Sequence, residues 1–188
     1  LVWLRRAAEI AIGRMEIDDA VGLLHRALEL ETDPRKQASL WREVGRASIL
    51  KFDGEAFWTA MQASLALDAD PAIAADVYGE LAIQTVSRRG MWMRRPSNEL
   101  IEGWITSALE IAGPGSRERA KAMIARAWLY PQASVELADE ASAIAARLGD
   151  TDLQSMAWQA VERAAWERGD YEEGYAWSLR NVALAEGM

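Results

Sequence analysis

The chain has 188 residues, no cysteine, a single histidine and a formal net charge of −8, and it is 51% hydrophobic. These figures exclude disulfides, thiolate metal sites and thiol nucleophiles, give no basic footprint for nucleic acid or an acidic membrane, and fit a reducing cytoplasm. No apolar run nears the ~18 residues that span a bilayer, and Leu1-Val2-Trp3-Leu4-Arg5-Arg6 is interrupted by charge too early for a signal peptide.

Good helix formers dominate, and no run alternates apolar with polar residues as a strand does. An all-α chain is predicted, with helices at 2–13, 17–30, 34–51, 54–68, 71–89, 97–112, 116–130, 132–148, 151–168 and 171–186. Several starts are marked. Asp33-Pro34 and Asp70-Pro71 place a capping acid before a proline at the first helical position. Glu99 follows Ser97 in a first turn, where the helix dipole favours an acid. Gly113-Pro114-Gly115-Ser116 is a break, and Asp150 and Asp170 each follow a glycine, a stop and then a start. The chain begins inside a helical pattern without an initiator Met and stops directly after one, which predicts a piece of a longer polypeptide.

The helices pair into units that recur about every 37 residues. A small residue in each first helix falls at Ala8, Gly45, Ala82 and Ala125, and then at Glu162, the single exception, in steps of 37, 37, 43 and 37. Each second helix holds a triplet spaced four and three apart: Ala20/Leu24/Ala27, Phe57/Met61/Ser64, Ile101/Ile105/Ala108, Ser134/Ala138/Ala141 and Gly174/Ser178/Asn181. That spacing puts each triplet on one helical face, where small residues let two axes approach. The units run 1–32, 33–69, 70–113, 114–149 and 150–188 in a single repeat domain. Two depart from the pattern. The third carries an insertion near 90–96, expected outside regular helix, and the fourth is shortened at Tyr130-Pro131.

The motifs Trp41-x2-Val44-Gly45-x2-Ser48, Tyr78-x2-Leu81-Ala82-x2-Thr85 and Trp158-x2-Val161-Glu162-x2-Ala165, with the turn Gly169-Asp170-Tyr171, resemble the tetratricopeptide repeat. The resemblance implies a right-handed α-α superhelix of five antiparallel helix pairs that binds proteins or peptides. The long repeat and Arg147-Leu148-Gly149-Asp150 between units look like the tails of large bacterial signalling ATPases, transcriptional regulators and nucleotide cyclases. The expectation is a non-catalytic regulatory interaction module in the cytoplasm, with no cofactor, no metal and no nucleic-acid or membrane partner. A groove sensor for a small peptide or metabolite, and a stacking module that dimerises through open ends, are the alternatives.

Two sets of residues are candidates for partner binding. Projecting the family's concave face onto this sequence selects Arg5, Glu9, Arg42, Arg46, Ile83, Val86, Arg126, Arg163 and Trp166. Arg suits fork-like recognition of carboxylates, so an acidic partner is implied, unless these arginines pair with the chain's own acids. The second set is the insertion, Arg88, Arg89, Met91, Trp92, Met93, Arg94 and Arg95, four cations around an adaptable Met-Trp-Met centre. Its alternative is a loop whose Trp92 tucks onto the helices. His25, the one histidine, lies between packed Leu24 and Ala27 and is expected at the surface.

Overall fold

The computed structural model describes residues 1–132 and 135–186. Among these it forms ten α-helices and no strand: α1 Val2–Gly13, α2 Ile17–Leu30, α3 Pro34–Leu50, α4 Gly54–Leu67, α5 Pro71–Ser87, α6 Asn98–Ile111, α7 Arg117–Leu129, α8 Val135–Leu148, α9 Thr151–Arg168 and α10 Tyr171–Glu186. Each expected helix is present, with ends displaced by at most a few residues. The insertion is non-helical except for one 3-10 turn at Arg89–Met91. The chain divides into two compact units, Leu1–Val77 with Arg88–Arg95, and Tyr78–Ser87 with the chain from Pro96.

In the first unit α1 packs on α2, α2 on α3 and α3 on α4. Ala8, Ala11, Ala20, Leu24, Ala27, Leu40, Val44 and Ala60 form its core, flanked by Leu4 and Trp41. Gly45 sits in contact with Phe57 and Met61, where a Cβ would stand 2.9 Å from Met61 Cε. The small residue at this position therefore sets how closely α3 and α4 approach. Capping follows the acids: the side chain of Asp33 accepts from the Arg35 N–H and that of Asp53 from the Ala56 N–H, each at 2.9 Å.

In the second unit α6 packs on α7, α7 on α8, α8 on α9 and α9 on α10, and α9 also touches α7. Ala127, Ala138, Ala160 and Val161 form one cluster, flanked by Trp128, Val135 and Trp177. The Trp158 Nε1–H donates to Ser142 Oγ at 2.8 Å, which ties α9 to α8. Of the fourth triplet, Ala138 and Ala141 are buried, and Ser134 lies outside the described residues. Gly174 of the fifth is buried, but Ser178 and Asn181 are half-buried.

This unit also holds an ion pair that the hydrophobic pattern does not announce. The Lys121 ammonium donates to Glu80 Oε2 at 2.6 Å, with Lys121 3% and Glu80 8% exposed. Gly79 makes room for it: a Cβ there would stand 3.3 Å from both Lys121 Cβ and the Glu118 carbonyl oxygen. Among the described residues, no helix is long and apolar enough to cross a membrane.

Candidate interaction surfaces

The insertion turns two of its seven recognition residues inward. Met91 and Trp92 are buried, 2% and 8% exposed, whereas Met93 is 98% exposed. Gly54, the first residue of α4, explains the difference. A Cβ there would meet the Trp92 ring at 2.6 Å and the Met91 carbonyl oxygen at 2.9 Å. The Arg94 backbone N–H donates to Glu55 Oε1 at 3.3 Å, fastening the next residues to the same helix. Trp92 thus tucks onto the helices, and Arg88, Arg89, Met93 and Arg94 remain at the surface with Arg95 half-buried.

The concave-face arginines are matched by the chain's own polar groups. Arg5 pairs with Glu43 and Arg126 with Glu102. Arg46 reaches Asp76 at 3.2 Å, and Arg163 reaches Glu167 at 2.8 Å. Arg42 donates to Ser64 Oγ at 3.2 Å. Ile83 and Val86 are buried, each 1% exposed, so neither lines a surface as the projection expected. Arg5, Glu9 and Arg46 do converge, around a cleft of about 300 Å³ floored by Ala8, Ile12 and Leu24 in the first unit.

Arg163 and Trp166 open onto a larger depression in the second unit, about 640 Å³, lined also by Trp128, Gln159, Glu162, Glu167, Ser178 and Asn181. The Arg163 guanidinium lies over the Trp128 ring, 5.3 Å from its centroid, a cation–π contact. Trp166 stays 42% exposed. Its ring rests on Gly174, where a Cβ would stand 2.9 Å away, and lies 5.5 Å from the Tyr171 ring. Glu162 Oε1 accepts from Ser178 Oγ at 2.6 Å and from Trp166 Nε1 at 3.3 Å.

The chain matches no protein-family model and no curated protein. The depression combines an exposed indole with two carboxylates and one guanidinium.

Glu162 stands where earlier units place Ala8, Gly45, Ala82 and Ala125, and that broken rule was a visible signal of this polar floor. Asn181 at the end of the last triplet was another. Lys121 was signalled in the same way: it occupies the place of Leu4, Trp41, Tyr78 and Trp158, four residues before the small position. Its partner Glu80 carried no such mark.

Proposed function

We propose that this chain is a non-catalytic interaction module, an array of tetratricopeptide-like helix pairs wound as a right-handed superhelix. It serves as a regulatory, partner-binding part of a larger bacterial-type signalling protein in the cytoplasm. The observation that carries the proposal is the coincidence of period and packing. The small positions Ala8, Gly45, Ala82 and Ala125 are buried, and α9 seats on both helices of the pair before it, as stacked repeats do.

The partner is a protein or peptide, and its seat is the depression beside Trp166. A carboxylate-rich ligand on the arginines would have to displace Glu43, Asp76, Glu102 or Glu167, which already neutralise them. The depression needs no such exchange. An indole wall gives contact area at low entropic cost, and its rim can choose by charge.

The test uses isotope-labelled protein titrated with three amphipathic helical peptides, one Glu-rich, one Arg-rich and one uncharged. Backbone amide shifts should move at Gln159, Glu162 and Trp166 with at least one peptide, and the response should vanish in Trp166→Ala. No shift change with any peptide up to about 1 mM would falsify the reading.

A further inference from the structure

We infer that the cleft between α1 and α3 in the first unit binds a free α-amino acid with an apolar side chain. This goes beyond the proposed function, because it concerns the other unit and another class of ligand.

Helical spacing builds the cleft. Arg5 and Glu9 stand four residues apart on α1, as do Ala8 and Ile12, and Glu43 and Arg46 stand three apart on α3. Leu24 of α2 completes the floor, so every wall belongs to one compact unit. The volume, about 300 Å³, lies at the small end of ligand sites. It suits a small molecule.

The charges around the cleft select a zwitterion. Arg5 on α1 pairs with Glu43 on α3. One helical turn further along each helix the two signs recur with their places exchanged, as Glu9 on α1 and Arg46 on α3. Both line the cleft, yet among the described residues they form no ion pair with each other. Glu9 instead reaches Arg6 at 3.1 Å, where both side chains are mostly exposed. Arg46 reaches Asp76 at 3.2 Å through Nη2, and its side chain is 52% exposed. Exposed pairs of this kind are weak and exchange readily.

A ligand of one sign fits poorly here. A carboxylate drawn to Arg46 is repelled by Glu9 and Glu43, and an ammonium drawn to Glu9 is repelled by Arg5. An α-amino acid carries both signs on one carbon. Its carboxylate accepts from the Arg46 guanidinium, whose planar fork matches it, and its ammonium donates to Glu9. The ligand thereby bridges the two charges that the protein leaves apart, and the rim of two cations and two acids stays neutral. Below the rim, Ala8, Ile12 and Leu24 offer no hydrogen-bonding side chain. An apolar side chain gains there by leaving water, whereas a polar one loses its hydration without replacement.

Leucine, methionine and phenylalanine, each titrated into isotope-labelled protein to about 20 mM, test the site. At least one should saturate with a Kd of about 1 mM or tighter, moving the backbone amides of Glu9, Ile12 and Arg46. The N-acetyl derivative of the tightest binder lacks the ammonium, its amide lacks the carboxylate, and glycine lacks the side chain. Each should bind about tenfold more weakly or worse. Glu9→Gln and Arg46→Gln change exposed side chains, and each should weaken binding by a similar factor. The ligand series decides even if a variant misfolds, because there the protein is constant. No saturable response to any of the three amino acids overturns the inference, as does an N-acetyl derivative or amide that binds as tightly as its parent. Binding indifferent to both substitutions overturns it too. The peptide response at Trp166 is read in the other unit, so failure here leaves the proposed function to its own test.

Discussion

Lys121 shows how one residue can contradict a hydrophobic pattern and still belong to the core. Its charge is tolerated because Glu80 meets it at 2.6 Å and because Gln84 Nε2 donates to the same carboxylate at 2.9 Å. Removing one partner of a buried pair strands the other, whereas replacing both with apolar groups is often neutral. Lys121→Met should therefore lower unfolding stability by about 3–5 kcal/mol in urea titrations, and Lys121→Met with Glu80→Leu should recover most of that loss. Equal losses in both variants would mean that packing, not charge, holds this position. Glycines give a second contrast. Gly54→Ala drives a methyl into Trp92 and should cost about 1–3 kcal/mol, with faster amide exchange at Met91 and Trp92. Gly103 is exposed within α6 and a Cβ there meets nothing within 4 Å. Gly103→Ala should instead add about 0.5–1 kcal/mol, measured by the same titration.

At the scale of elements, one turn closes four helices. The N–H of Glu16, Asp53, Asp150 and Asp170 reaches back to the carbonyl of Ala11, Ser48, Ala145 and Ala165 respectively, at 2.9 Å for the first and 3.0 Å for the others. The residue before each donor is left-handed: Gly149 and Gly169 at φ 67 and 79, but Met15 and Phe52 at 61 and 58. A side chain pays a penalty there that glycine does not. Met15→Gly should raise thermal stability by about 1 kcal/mol, since Met15 is 71% exposed and loses little packing. Asp150 then starts α9 and binds two helices together, accepting from the Leu153 N–H at 2.9 Å and from Arg117 Nε at 2.6 Å. Burial opposes its ionisation, but the Leu153 bond and the Arg117 charge outweigh burial and hold the carboxyl below its ordinary 3.8. An acid with a depressed native pKa stabilises the fold above its unfolded pKa and loses that contribution as pH falls through the native value. Asp150→Asn keeps the cap and loses the Arg117 pair. Its unfolding stability should sit below wild type at neutral pH, by roughly 1 kcal/mol or less, and the gap should close as pH falls through the depressed native pKa. A gap that persists in acid would assign the effect to packing.

At the scale of the molecule, stability should be graded rather than uniform, because within each compact unit the helices pack mainly on their neighbours in sequence. Helix α7 buries seven of its 13 residues, whereas α10 buries only Gly174 among the described residues and exposes Tyr171, Tyr175, Leu179 and Val182. Hydrogen exchange should therefore release α10 first and α7 among the last; uniform protection would mean one cooperative body. The sequence by itself determined the helices, several of their caps and the buried side of most, though not of α5 or α10, because a 3.6-residue period and a capping acid act within a few residues of chain. Tertiary structure alone decided which polar groups meet. Arg5 finds Glu43 across 38 residues and Arg126 finds Glu102 across 24, and Trp92 turns inward because Gly54 leaves room for its ring. Periodicity fixes the face on which a long side chain leaves its helix. Where its charged end comes to rest depends on the rotamer and on the neighbouring helix, which spacing along the chain does not encode.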